Sequence, residues 1–66
     1  MKVILYTTHC LKCNVLDKKL TSKGIAYIEN TDTKEMLKKG FSTAPMLEVD
    51  GVIMDFKQAN DWINEQ

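Results

Sequence analysis

The pattern of apolar and polar residues changes period along the chain, and each change marks a predicted element. Val3–Tyr6 is a short apolar run of residues that favour strands, so it predicts a buried strand. Residues 11–23 instead carry apolar side chains at helical spacing, which predicts a helix. Gly24 is expected to end this helix because glycine adopts positive φ at little cost, and residues 25–29 are predicted to form a second strand.

A short helix and a loop are predicted in the middle of the chain. Asp32 is followed three residues later by Glu35, a spacing that suits the capping of a helix N-terminus. The two apolar residues that follow supply the inner face of this helix, and Gly40 ends it. Residues 41–44 are then predicted to be a loop.

The last third of the chain predicts a hairpin followed by a helix. Pro45 precedes residues 46–49, and proline is tolerated at the first position of a strand although it cannot donate to a sheet. Asp50 and Gly51 are a strong signal for a two-residue hairpin turn, which makes residues 52–54 the return strand. A final helix capped by Asp55 is predicted to carry on its inner face Phe56, Ala59, Trp62 and Ile63.

The predicted order of elements is strand, helix, strand, helix, strand, strand, helix. The first two strands are separated by a helix, so we expect them to be parallel and joined by a right-handed crossover. The hairpin adds an antiparallel edge. We therefore predict a single α/β domain over residues 1–66, with a four-stranded mixed sheet flanked by three helices.

Composition narrows the classes of function. The 66 residues suffice for one small domain with a modest core. Lys plus Arg number nine and Asp plus Glu number nine, and this zero net charge argues against a nucleic-acid binder. No apolar run approaches the ~20 residues of a membrane-spanning helix, and the first residues lack the features of a signal peptide. We therefore expect a cytoplasmic protein without a membrane partner, in which paired cysteines are usually catalytic or metal-binding.

Both cysteines of the chain, Cys10 and Cys13, lie at the start of the first predicted helix, separated by two residues. The first amides of a helix lack partners within the helix and the helix dipole is positive there, so a thiolate at Cys10 is expected to be stabilised. Cys13 lies one turn deeper and is expected to be more shielded and less acidic. This asymmetry predicts thiol–disulfide exchange in two steps, with Cys10 as nucleophile and Cys13 as the resolving thiol.

Other uses of the same two cysteines stay open. A structural disulfide would close a very small loop and gain little chain entropy. A zinc site requires four ligands, and only His9 adjoins the cysteines in the sequence. A copper(I) carrier is the stronger alternative, because such domains have about this size and bind the metal through two cysteines two residues apart. This chain differs from them at Thr8, where they have methionine, and in its helical rather than strand-like C-terminal pattern.

A second motif, Thr43-Ala44-Pro45, precedes the third predicted strand. Together with Tyr6-Thr7 and the dithiol at a helix start, it gives the chain a resemblance to the thioredoxin superfamily, and within it to the glutaredoxins, from residue 3 to residue 63. The resemblance implies a thioredoxin-like fold and a thiol–disulfide oxidoreductase that acts as an electron carrier. It also implies that Pro45 is a cis proline facing the dithiol, and that the backbone of Ala44 pairs with a bound peptide or with glutathione.

The branch of the glutaredoxin family that the chain resembles more closely indicates its reductant and its substrate. Glutathione-using members carry a Gly-Gly pair after the fourth strand, which is missing here, and often Pro-Tyr or Pro-Phe where this chain has Leu11-Lys12. The segment Asp55-Phe56-Lys57 is more similar to the glutaredoxin-like redoxins of the NrdH type. Those proteins take electrons from thioredoxin reductase and supply ribonucleotide reductase. The resemblance therefore implies a disulfide-containing protein or a glutathione mixed disulfide as substrate, and either thioredoxin reductase or glutathione as reductant.

The remaining expectations concern individual residues and assembly. His9, when protonated, is expected to favour the thiolate of Cys10, and Lys12 to favour the thiolate or a carboxylate of the partner. Asp55 is expected to cap the last helix or to hold glutathione. We expect a monomer with no tightly bound cofactor, with glutathione as a candidate co-substrate; a cluster-bridged dimer holding glutathione-ligated iron and sulfide is a further alternative. The predicted substrate-binding residues are Thr8, His9, Leu11, Lys12, Thr43, Ala44, Pro45 and Asp55.

Overall fold

Seven elements make up the computed structural model, which describes all of residues 1–66. In chain order they are β1 (Val3–Tyr6), α1 (Leu11–Ser22), β2 (Ile28–Asn30), α2 (Thr33–Lys38), β3 (Met46–Val49), β4 (Val52–Met54) and α3 (Phe56–Asn64). The predicted α/β class, with a four-stranded mixed sheet and three helices, is confirmed. The longest helix has 12 residues, and none of the three combines the length and apolar character required to cross a membrane.

The sheet has the strand order β2-β1-β3-β4. Strand β1 pairs in parallel with β2 and antiparallel with β3, which in turn forms an antiparallel hairpin with β4. The register places Tyr6, the last residue of β1, opposite Met46, the first residue of β3. The loop that leaves β1 and the loop that enters β3 therefore meet at the same end of the sheet.

The main core lies between one face of the sheet and the helices α1 and α3. Alternate side chains of β1 and β3 point to this face, as the pleat of a strand requires. The eight buried residues of the cluster are Val3, Leu5, Leu16, Leu20, Leu47, Val49, Ala59 and Ile63. Phe56 and Trp62, predicted on the inner face of α3, are only partly buried at the rim of this cluster. Helical spacing identifies the inner face but does not distinguish its centre from its edge.

The remaining side chains of β1 and β3, at alternate positions along each strand, point to the opposite face of the sheet. Tyr6 is 2% exposed and meets the ring of Phe41 edge-on, with the ring centroids 5.0 Å apart. Its hydroxyl donates a hydrogen bond to Glu48 Oε1 at 3.3 Å. Burial, followed by the nearby Glu48 carboxylate, raises the pKa of Tyr6, so this tyrosine stays neutral well above physiological pH.

The boundaries of the second strand differ from the prediction. Residues 25–29 were expected to form it, whereas β2 covers Ile28–Asn30. Ile25 is instead tied to the end of α1, because its N–H donates to the carbonyl of Leu20 at 3.0 Å, and Ile25 and Tyr27 pack against the core. The apolar residues before β2 thus cover the core and take no part in strand pairing.

The turn and the caps form as their residue types predict. Asp50 and Gly51 have φ values of 49° and 87°, the positive pair that a two-residue hairpin turn requires. Asp32 caps α2 by accepting hydrogen bonds from the N–H groups of Lys34 and Glu35. Asp55 caps α3 in a reciprocal capping box with Gln58.

Candidate active site

The segment that leaves β1 turns sharply before α1 begins. Thr7 is 2% exposed, and its hydroxyl accepts a hydrogen bond from the N–H of His9 at 3.0 Å. His9 itself has a φ of 61°, in the left-handed region that few residues other than glycine adopt. Cys10 then has extended backbone angles, φ −73° and ψ 174°, and is the N-cap of α1. The turn thereby places the sulfur of Cys10 at the amino end of the helix.

The two cysteines are free thiols in direct contact. Cys10 Sγ accepts a hydrogen bond from the backbone N–H of Cys13 at 3.3 Å, and the two sulfur atoms lie 2.7 Å apart. This distance is longer than the ~2.05 Å of a disulfide bond and requires little movement to become one. Cys10 is partly exposed, whereas Cys13 is 1% exposed. A substrate sulfur can therefore approach Cys10 but not Cys13.

Hydrogen bonds make Cys13 more acidic than its depth alone allows. Burial raises the pKa of this thiol. Hydrogen bonds lower it by more, and they come from the Cys10 thiol, the Thr7 hydroxyl and the backbone of Thr8 and Cys10. The net effect is that the pKa of Cys13 falls from 9.0 to about 7. Cys13 is shielded as expected, and the hydrogen bonds that lower its pKa come from groups that the sequence alone does not bring together. Since one hydrogen bond links the two sulfurs, the pair shares the charge left when a proton departs.

The lowered pKa of Cys13 makes the stability of the reduced protein depend on pH. An acid whose folded pKa lies below its unfolded pKa contributes stability that is fully present above the unfolded value and is lost as pH falls through the folded value. We therefore expect the free energy of unfolding to rise by ~2 kcal/mol between pH 6.5 and pH 9, from the shift of 9.0 to about 7. Urea titrations under reducing conditions measure the free energy of unfolding at each pH. A Cys13→Ser variant should lose this rise, and an equal rise in both proteins would contradict the expectation.

A groove of about 360 Å³ opens beside Cys10. One side consists of Thr8 and Cys10, and the other is built by α2 and by the loop that leads to β3. Apolar side chains of this second side include Met36, Leu37 and Phe41. The complete lining is Thr8, Cys10, Thr33, Met36, Leu37, Phe41, Ser42, Thr43 and Ala44.

The loop that enters β3 presents an unpaired backbone to this groove. The Ala44–Pro45 peptide bond is cis, as the family resemblance implies, and the side chain of Pro45 is fully buried. Ser42, Thr43 and Ala44 make no backbone hydrogen bond within the protein. Backbone N–H and C=O groups need partners, so this strip is able to pair with an extended peptide placed next to Cys10.

The structure brings only part of the predicted substrate-binding set together. Thr8, Thr43 and Ala44 line the groove with Cys10, whereas Pro45 is fully buried and is not among the lining residues. Leu11 is 86% exposed on the first turn of α1 and lines no part of the groove. The groove therefore lies between Cys10 and the loop before β3, and the exposed first turn of α1 is outside it.

Three charged or titratable residues of the predicted set are engaged elsewhere. The imidazole Nε2 of His9 lies 3.2 Å from Glu29 Oε1 in a solvent-exposed pair, and it makes no hydrogen bond to either sulfur. The ammonium of Lys12 lies 5.5 Å from the centre of the Phe56 ring. Asp55 uses its carboxylate to accept the N–H of Gln58 at 2.9 Å, so of its two expected roles the structure provides the cap.

Two parts of the site are not evident from the sequence. One is the apolar side of the groove, whose residues were predicted only as the inner face of a short helix. A partial signal was present, because Met36 and Leu37 are adjacent and point in different directions from a short helix, which need not bury both; Met36 is buried and Leu37 is 73% exposed. The other is Thr7, whose burial follows from its position at the end of a central strand.

No three or more His, Cys, Asp and Glu side chains come together in an arrangement that could hold a metal ion. The chain matches no protein-family model, no curated protein and no solved structure.

Proposed function

We propose that the protein is a thiol–disulfide oxidoreductase with a thioredoxin-like fold of the glutaredoxin type, which reduces disulfides of other proteins. One observation supports this above all. A partly exposed sulfur caps the first helix and touches a second sulfur that is 1% exposed, at the edge of an open groove. In this arrangement only the Cys10 sulfur can react with a substrate disulfide, and the Cys13 sulfur is close enough to resolve the mixed disulfide that results.

The proposed reaction has two exchange steps. The Cys10 thiolate attacks one sulfur of the substrate disulfide, so that a Cys10–substrate bond forms, the substrate S–S bond breaks, and the leaving sulfur takes a proton from solvent. The Cys13 thiolate then attacks Cys10 Sγ, which forms the Cys10–Cys13 disulfide and releases the second substrate thiol. The substrate gains two electrons and the dithiol loses them, and a reduced dithiol donor restores the starting state.

The backbone strip supports an extended protein segment as the substrate. The free groups of Ser42, Thr43 and Ala44 are able to add a short strand of substrate alongside the loop, with the substrate cysteine next to Cys10. Main-chain hydrogen bonds supply affinity for the substrate segment that does not depend on its amino-acid sequence. Proteins with accessible disulfides are thus the proposed substrates, and ribonucleotide reductase is the candidate acceptor that the family resemblance implies.

The groove favours a protein over glutathione. Glutathione carries two carboxylates, whereas the nine residues that line the groove include no lysine, arginine or histidine. The polar groups that side chains offer there are threonine and serine hydroxyls and the Cys10 thiol, and the other lining residues, Met36, Leu37, Phe41 and Ala44, are apolar. We therefore propose a reductase of the thioredoxin-reductase type as electron donor, for a monomeric protein of the cytoplasm.

The proposal is tested by reduction of insulin with different electron sources. Dithiothreitol should drive rapid precipitation of the insulin B chain when the protein is present, and NADPH with thioredoxin reductase should support faster turnover than glutathione with glutathione reductase. Equal or faster turnover with glutathione would contradict the proposed donor. Absence of any acceleration, combined with one copper or zinc ion retained per chain after purification under reducing conditions, would favour a metal carrier instead.

A further inference from the structure

The groove beside Cys10 has an apolar wall, which Met36, Leu37 and Phe41 form on the side built by α2 and the loop before β3. Met36 is 6% exposed, whereas Leu37 is 73% exposed. Of the large apolar residues exposed on the protein, Leu37 alone lines this groove. The wall therefore continues from a buried residue into open solvent, which leaves apolar surface available to a ligand.

The charged residues of α2 stay out of the groove. Lys34, Glu35 and Lys38 are exposed, and none of them lines it. Glu35 accepts a hydrogen bond from the side chain of Asn30 at 3.2 Å, at the end of β2. A charged side chain of a ligand would lose water in the groove without gaining a counter-charge, whereas an apolar side chain gains free energy from the same transfer.

The apolar wall is formed before any ligand arrives. The N–H of Phe41 donates to the carbonyl of Met36 at 3.0 Å, which joins the loop to α2. The ring of Phe41 also meets the buried ring of Tyr6 edge-on, with the centroids 5.0 Å apart. A preformed surface has less conformational freedom to lose on binding, so more of the apolar contact contributes to affinity.

The backbone strip places a substrate segment along this wall. Ser42, Thr43 and Ala44 follow Phe41 directly in the chain, and they make no backbone hydrogen bond within the protein. A segment that pairs with them runs beside the apolar wall with its cysteine at Cys10. Neighbouring side chains of an extended segment point to opposite sides, so one position close to the cysteine faces the wall while the next does not.

We propose that the apolar wall is a subsite for one bulky apolar side chain of the substrate, and that Leu37 determines this preference. The protein thus selects disulfides whose cysteine lies within two residues of a phenylalanine, leucine or methionine, and it disfavours an acidic residue there. The inference rests on the proposed function, because it names the class of segment that Cys10 attacks. A second copy of the chain fits the wall less well, since a two-fold pairing through Leu37 would bring Lys34 and Lys38 towards the same lysines of the other copy.

The first test measures the rate at which Cys10 attacks short peptides. Each peptide has one cysteine, joined by a disulfide to an aromatic thiol, and carries phenylalanine, alanine or glutamate at one of the two positions on either side. The Cys10–peptide bond forms, the bond to the aromatic thiol breaks, and the aromatic thiolate leaves with the electron pair and is followed by its absorbance. Each rate is divided by the rate of dithiothreitol with the same peptide, which removes differences in intrinsic reactivity.

The expected result is a preference at one position of the peptide. Phenylalanine there should give a rate about tenfold above that of alanine, and glutamate a rate no higher than that of alanine. The adjacent position should show no such preference. Equal normalised rates for phenylalanine and alanine at every position would overturn the inference.

Variants of Leu37 locate the preference. Leu37→Ala should reduce the tenfold ratio to about threefold. Leu37→Lys should make the glutamate peptide about threefold faster than the alanine peptide, an effect that salt weakens. Val52→Lys is the matched control, because Val52 is 58% exposed on β4 and does not line the groove, and this variant should keep the preferences of the parent. Parent preferences in both Leu37 variants, or altered preferences in the control, would overturn the role of Leu37.

A second measurement requires no thiol chemistry. The peptides are made with serine in place of cysteine, and the methyl resonances of Met36 and Leu37 are followed by NMR as each peptide is added. The phenylalanine peptide should shift these resonances and the alanine peptide should not. Equal shifts or none, or a dimer in sedimentation that Leu37→Lys dissociates, would overturn the inference. If the parent protein attacks no peptide disulfide, the proposed function falls, while the resonances still decide whether the wall binds an apolar side chain.

Discussion

Replacement of Cys10 by serine is expected to abolish disulfide reduction, with turnover lowered by about a thousandfold or more. The physical reason is that a serine hydroxyl at the same N-cap is a far weaker nucleophile than a thiolate and cannot form the mixed disulfide. Cys13 cannot replace it, because its sulfur is 1% exposed and out of reach of a bulky substrate. Insulin reduction with dithiothreitol or an enzymatic donor measures the loss.

Cys13→Ser provides the informative comparison. This variant retains the exposed thiol of Cys10 and should still form the first adduct, but the adduct should persist because no resolving thiol is present. Val15→Ser is a matched control on the same helix, since Val15 is 42% exposed and does not line the groove. It should turn over like the parent protein. A Cys10→Ser variant that retained substantial activity would show that the exposed sulfur is not the nucleophile.

Replacement of Leu20 by alanine is expected to lower the free energy of unfolding by about 3 kcal/mol. Leu20 is 0% exposed in the cluster that joins α1 and α3 to the sheet, so truncation removes buried apolar surface and leaves a cavity. Domains of this size are stabilised by only about 3–10 kcal/mol, so the variant should lose about a third or more of the total. Urea titration of the reduced protein, followed by the far-UV circular dichroism signal, measures the change.

Leu37→Ala is the control for the same chemical change at the surface. Leu37 also lies on a helix but is 73% exposed, so its truncation should change the free energy of unfolding by less than about 0.5 kcal/mol. Because Leu37 lines the groove, the variant serves as a control for stability and not for activity. Similar unfolding midpoints for the two variants would show that α1 does not pack on the sheet as described.

The parts of the fold that the sequence predicts well are those decided by nearby residues. The apolar run of β1, the turn at Asp50 and Gly51 and the cap at Asp55 each depend on interactions within a few positions, and all three are present. The start of β2 was misplaced because Ile25 and Tyr27 have strand-forming side chains that the tertiary structure uses to cover the core. Local preference and tertiary packing compete there, and packing prevails.

The candidate site divides along the same line. Cys10 and Cys13 are recognisable from spacing alone, since the start of a helix fixes where both sulfurs lie. The groove cannot be recognised from the sequence in this way. It is formed where α2 and the loop before β3 approach the turn at Thr8 and Cys10, which lies more than 20 positions earlier in the chain. The lowered pKa of Cys13 likewise depends on the Cys10 thiol and then on groups at the end of β1, which approach the sulfur only in the folded chain.

The left-handed backbone at His9 limits which amino acids that position tolerates. Asparagine, aspartate or glycine should preserve the path of the chain, since these residue types enter this conformation most readily. Valine or isoleucine would collide with its own main chain and favour an extended path, which would swing the sulfur of residue 10 away from the helix axis. A residue that makes no hydrogen bond to either sulfur thus determines, through its backbone conformation, where the sulfur of Cys10 lies relative to α1.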